Sequence, residues 1–191
     1  MIIVVTGVPG VGKTTVMNEF LKIKPNFEVK NFANSMLDVA IEKGILKGEK
    51  EELHDELRKL PPETQLELQK AAGKALSEMG KKKDLIIDTH AMIKTPRGYF
   101  AGLPLWVIEN LKPEFIILVE VSAETIAKRR AEDPLRVRDQ DATVEGIQEH
   151  IDMCRAVAAA YSALSGCFVK IIENKQGQAE LAAKDLAKII E

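Results

Sequence analysis

Gly7-Val8-Pro9-Gly10-Val11-Gly12-Lys13-Thr14 fulfils the spacing G-x-x-x-x-G-K-[ST] at every fixed position. The chemistry of that pattern is phosphate binding. Glycines permit a tight turn that brings successive backbone N–H groups against phosphate oxygens. A helix opening at Lys13 would turn its positive dipole end to the same oxygens. Lys13 can reach a β- or γ-phosphate, and the Thr14 hydroxyl can ligate Mg²⁺. Gly7, Val8, Pro9, Gly10, Val11, Gly12, Lys13, Thr14 and Thr15 are therefore the expected nucleotide contacts. A glycine-rich turn that binds nothing is the plain alternative. The apolar run 2–5 before the motif and the helical pattern 14–22 after it supply the context that a phosphate loop requires.

Four of the seven arginines fall within ten residues: Arg129, Arg130, Arg136 and Arg138. Guanidinium forks pair bidentately with phosphate oxygens and stay charged near neutrality. On a short segment beside a phosphate loop they suit the charge that spreads over a phosphoryl group in transfer. A solvated charged loop is the alternative reading. Arg58 stands offset from the apolar stripe Leu53-Leu57-Leu60 and would hold a second substrate's phosphate. Asp88 closes the run Leu85-Ile86-Ile87, where a carboxylate suits Mg²⁺, directly or through a water. Lys94 and Arg97 are expected on a loop near the site. His90 reads as structural; His54 and His150 receive no role, and Asp38 reads as a solvated carboxylate. With cations on two segments and no evident base, the pattern favours an acceptor whose oxygen is already ionised. A nucleoside monophosphate is one, because its second pKa lies near 6.

Bulk properties narrow the class. A chain of 191 residues fits one domain with a sizeable core. Its formal net charge of −2 excludes a broad basic face, so nucleic acid is not an expected partner. Cys154 and Cys167 lack metal-ligand spacing and read as buried thiols in a reducing, cytoplasmic setting. No apolar stretch is long enough for a membrane span or a signal peptide.

The positioning elements follow from periodicity. Apolar runs at 2–5, 27–31, 85–87, 115–121 and 168–172 alternate with helical patterns at 32–43, 49–60, 62–80, 143–165 and 178–190. Another helix is expected from a Ser122 cap to Ala131. Continuous rather than alternating runs point to parallel strands covered on both faces. The expected fold is thus α/β, a three-layer αβα sandwich around a five-stranded parallel sheet. About fifty residues and three helices between the second and third strands exceed one crossover, so 32–80 reads as a helical insertion over the sheet's carboxyl edge. The core would comprise 1–31, 81–132 and 142–191, and the charged segment 133–141 a lid.

The chain resembles the archaeal-type adenylate kinases from end to end. The likeness is carried by the phosphate loop, Leu57-Arg58-Lys59-Leu60-Pro61 with Thr64-Gln65, and Asp88-Thr89-His90. It extends through Thr95-Pro96-Arg97-Gly98-Tyr99-Phe100-Ala101-Gly102-Leu103-Pro104 and Arg136-Val137-Arg138-Asp139, and Leu164-Ser165-Gly166 resembles a family turn with serine for threonine. The resemblance implies reversible transfer of the ATP γ-phosphate to AMP, giving two ADP, with Mg²⁺ as cofactor and a homotrimer as the assembly. It places Lys13 and Thr14 on the donor and metal, Arg58 on the AMP phosphate, and Arg130, Arg136 and Arg138 on the reacting phosphates. Asp133-Pro134-Leu135 stiffens the lid relative to the family pattern, and Arg97 replaces an expected lysine. Two other readings stay open: a kinase for another monophosphate such as UMP or CMP, and a slow ATPase acting as a switch or assembly factor.

Overall fold

The computed structural model describes residues 1–132 and 143–190, the Glu51 side chain excepted. Five strands form one parallel sheet: β1 (Ile2–Thr6), β2 (Phe27–Asn31), β3 (Asp84–Asp88), β6 (Phe115–Glu120) and β7 (Phe168–Glu173). Their order is β2-β3-β1-β6-β7. The β-branched run Ile2-Ile3-Val4-Val5 suits the central position, buried on both faces. In register, Val5 lies opposite Asp88 on one side and Ile117 on the other. All five strands point the same way, so their carboxyl ends share one edge; β2 and β3 lie on one side of β1 and the later β6 and β7 on the other, so the direction of strand addition reverses at β1. That reversal marks the crevice where open α/β sheets bind ligands.

Helices cover the sheet. Among them α1 (Lys13–Ile23) packs on α8 (Ala179–Ile189), while α4 (Pro62–Gly80), α5 (Leu105–Leu111) and α7 (Val144–Ser165) form another packed row. Local signals behave as expected at several boundaries. Ser122 accepts the Thr125 N–H to cap α6 (Ala123–Ala131), and Pro62 opens α4 directly after Pro61. Between β2 and β3 lie α2 (Phe32–Glu42), α3 (Lys50–Lys59) and α4, the three helices that the spacing predicts.

Three features depart from the sequence reading. Lys94 lies in a strand of an antiparallel hairpin, β4 (Met92–Thr95) and β5 (Gly98–Ala101), rather than on a loop, whereas Arg97 does fall in the turn that joins the two strands. The short helix α5 follows it, also unforeseen. Finally, β7 pairs only with β6, and its edge position leaves Phe168 at 70% and Ile171 at 46% exposure instead of covered on both faces. Periodicity reports a strand but not its place in the sheet.

The hairpin is held at its base. Tyr161 of α7 donates its hydroxyl to the Ala91 carbonyl (3.1 Å) and accepts from the Leu103 N–H (3.2 Å). Burial pushes the pKa of that phenol up to about 12. Gly102 donates its N–H to the same Ala91 carbonyl at 2.8 Å. A Cβ on Gly102 would sit 1.8 Å from the His90 carbonyl oxygen, a backbone atom that cannot rotate away. Gly102→Ala should therefore destabilise the fold by about 3 kcal/mol or more, lowering Tm on the order of 10 °C in a thermal melt.

Candidate active site

The loop between β1 and α1 is built on glycines whose neighbours leave no room for a side chain. Gly7 (φ +153°) passes so close to β6 that a Cβ would lie 2.4 Å from the Val119 carbonyl oxygen. Gly12 (φ +90°) caps α1 in the left-handed region, and a Cβ there would meet Asn174 Nδ2 at 2.6 Å. Gly12 offers no side chain to cap α1 and none of its first-turn residues is acidic, so its N–H groups and dipole keep their positive field for an anion. Lys13 sits at this helix start with a largely buried side chain, while Thr14 and Thr15 are exposed.

The loop is anchored from beneath. The Val11 carbonyl accepts from Asn174 Nδ2 (2.8 Å) and from Arg129 Nη1 (3.0 Å). In a trans peptide the N–H of the next residue points opposite to that carbonyl. Fixing the Val11 oxygen inward therefore directs the Gly12 N–H outward. Arg129 also donates to the Asn174 carbonyl (3.0 Å) and to Gln176 Oε1 (2.8 Å), and burial among these neutral partners draws its pKa below the ordinary arginine value. The structure thus separates the clustered arginines. Arg129 is part of the scaffold. Arg130 reaches the other side of the loop, donating from Nε (3.0 Å) and Nη2 (2.6 Å) to the Pro9 carbonyl. Arg136 and Arg138 lie outside the described residues.

Across the crevice stands Asp88. Its Oδ1 lies 3.9 Å from Lys13 Nζ and, although buried, has no hydrogen-bond partner among the described residues. Its Oδ2 accepts from Asn31 Nδ2 at 3.3 Å. A carboxylate oxygen that faces a phosphate loop whose Thr14 side chain is exposed fits a hard cation that prefers oxygen ligands and takes the rest from phosphates and water. Consistent with that sparse donor set, the described residues contain no cluster of three or more His, Cys, Asp and Glu able to hold a metal by themselves. His90 lies over the same loop, with Nδ1 3.4 Å from the Gly7 carbonyl.

The remaining candidates are less central. Arg58 is exposed on α3 and pairs with Asp55 at 2.9 Å. Gln65, at the start of α4, donates to the carbonyls of Arg58 (3.1 Å) and Leu60 (2.8 Å), tying the two helices together at the Pro61-Pro62 corner. Asp38 pairs with Lys50, and Lys94 with Glu149 of α7. His150 is buried, its Nε2 3.1 Å from the Met92 carbonyl, as a structural residue should be. Asn31 and Asn174 escaped the sequence reading. Both carried a signal, an asparagine at or just past the carboxyl end of a strand, where this sheet gathers its polar groups.

Comparison with known proteins agrees with this geometry. A family profile described as an AAA domain matches residues 6–148. The adenylate kinase of Methanocaldococcus jannaschii is 44% identical over 99% of this chain and 97% of its own length. Those of Methanothermobacter thermautotrophicus (42%, covering 100% and 99%) and Thermoplasma acidophilum (44%, covering 98% and 97%) match equally fully. The chain carries an AAA-type phosphate-loop domain and belongs to the adenylate kinase family. Its fold extends further: shikimate kinase from Acinetobacter baumannii superposes with a TM-score of 0.56 at 16% identity, covering 99% of this chain and 92% of that one. Shikimate kinase from Bacteroides thetaiotaomicron gives 0.57 at 14%, covering 100% and 98%. At such identities the likeness is one of fold.

In this adenylate kinase the clamp on Val11 has a measurable consequence. Asn174→Ala leaves a buried carbonyl with one donor instead of two, at a cost of about 0.5–1.5 kcal/mol. We expect a lower Tm together with a roughly tenfold loss in kcat/KM for ATP; a melt and steady-state kinetics check both.

Proposed function

We propose that the protein transfers the γ-phosphoryl group of MgATP to AMP, reversibly, giving two ADP. An AMP phosphate oxygen attacks the γ-phosphorus in line, and the bond to the β–γ bridging oxygen breaks. That nucleophile is largely ionised at neutral pH, so no side chain has to remove a proton. In this reading Lys13 holds the donor phosphates, assisted by the backbone of residues 7–15. Thr14 and Asp88 would hold Mg²⁺, which when bound neutralises charge on the transferring group. Arg58, on the insertion 32–80, binds the AMP phosphate. Arg130, Arg136 and Arg138 gather the negative charge of the transition state, the last two from the lid at 133–141. The observation that carries the reading is the ion pair of Lys13 Nζ with Asp88 Oδ1, an oxygen that takes no hydrogen bond from the described residues.

We also propose a homotrimer. The bare edge of β7 with exposed Phe168 and Ile171 supports self-association. A cytoplasmic location suits the two buried free thiols.

The test is ADP formation from MgATP with AMP, UMP, CMP, GMP or no acceptor. Fast turnover with AMP alone is expected. Slow ATP loss indifferent to every monophosphate would favour the switch reading instead. Lys13→Ala should remove nearly all turnover without lowering Tm, and Arg58→Ala should raise KM for AMP at least about tenfold while leaving KM for ATP nearly unchanged. Light scattering should return the mass of a trimer of the 21.1 kDa chain, and Phe168→Glu should reduce it to that of a single chain.

A further inference from the structure

β2 ends and α2 begins on one side chain. Asn31 has extended backbone (φ −83°, ψ 128°), and its Oδ1 accepts the Asn34 N–H at 3.1 Å, capping α2. Its carbonyl accepts the Ser35 hydroxyl at 3.1 Å. The other end of the amide, Nδ2, donates to Asp88 Oδ2. The two residues are also register partners in the β2–β3 ladder, so their Cα atoms are fixed opposite each other.

The orientation of this amide is not free. Its oxygen must meet a backbone N–H, which forces the nitrogen towards the carboxylate. Oδ2 is thereby occupied, and Oδ1 is the oxygen left facing Lys13. A cap requires only an oxygen, and serine or aspartate would supply one equally well. Neither could present the amide nitrogen to Asp88. Aspartate would set a second carboxylate against the first.

We propose that Asn31 is a positioning residue for phosphoryl transfer: it fixes the rotation of the Asp88 carboxylate so that one oxygen stays turned to the phosphate loop. The proposal rests on the reading of Asp88 as part of the metal and phosphate site. It also means that the point where the insertion's first helix starts is tied, through one side chain, to that carboxylate.

The experiment compares Asn31→Ser, Asn31→Asp, Asp88→Asn and the double variant N31S/D88N. The measurements are Tm, kcat and KM for both nucleotides, and calorimetric Kd of ADP with and without Mg²⁺. Both variants keep the cap; the serine variant should melt close to the wild type, and the aspartate variant somewhat lower because of the carboxylate it sets against Asp88. Their kcat should fall roughly tenfold for serine and further for aspartate, with KM for ATP changing little. The strengthening of ADP binding by Mg²⁺ should shrink in both. The double variant should be no worse than D88N, because Asn31 acts through Asp88. Wild-type kcat and Mg²⁺ response in N31S and N31D, with D88N impaired, would overturn the proposal and reduce Asn31 to a helix cap. Multiplied losses in the double variant would overturn it as well, since they mean independent action. A fully active D88N would remove the underlying reading of Asp88 and this proposal with it, an outcome told apart by D88N alone.

Discussion

Parallel pairing of β1 with β3 on one side and β6 on the other governs everything else in this molecule. It aligns the carboxyl ends of all five strands, and with them Thr6, Asn31, Asp88, Glu120 and Glu173, along one edge. Parallel neighbours cannot be joined by tight turns, so the chain must cross back over the sheet, and the crossovers become the covering helices. The interior then closes on both faces, with Ile3, Val4, Ile86, Ile87, Ile116 and Ile117 fully buried. The polar residues at the edge collect where the helices start, Asn31 and Asp88 half-buried, Thr6 and Glu120 buried.

Within this frame the phosphate loop is shaped as much by what lies under it as by its own glycines. The Val11 carbonyl is held by residues more than a hundred positions away, Arg129 and Asn174, and the Pro9 carbonyl by Arg130. Carbonyls turned to protein donors leave the positive ends of the neighbouring peptides for an anion. Preorganisation of this kind reduces the rearrangement needed when charge develops during phosphoryl transfer. The same economy appears across the crevice, where one asparagine serves a helix cap and a carboxylate at once.

Several elements were legible beforehand and others were not, for physical reasons. Helices with a clear apolar stripe or a capping residue, such as α4 after Pro61-Pro62 and α6 after Ser122, follow from local chemistry. The hairpin of β4 and β5 does not, since its four-residue strands take their order from Tyr161 and α7, remote in sequence. Nor does the exposure of β7, because an apolar run has the same composition in the middle of a sheet and at its edge.

The amino-acid sequence by itself determined the phosphate loop, the α/β class and the surplus of helices after β2. Each depends on residue types at short, fixed spacing, which local backbone preferences and apolar periodicity express directly. Only the tertiary structure decided which of two adjacent arginines supports the loop from within and which faces the Pro9 carbonyl. It alone brought Asn31 to Asp88 and Asn174 beneath the phosphate loop, and left a single oxygen of Asp88 turned to Lys13. Those outcomes depend on strand order and on contacts between distant segments, and a hydrogen bond across such distances has no period along the chain.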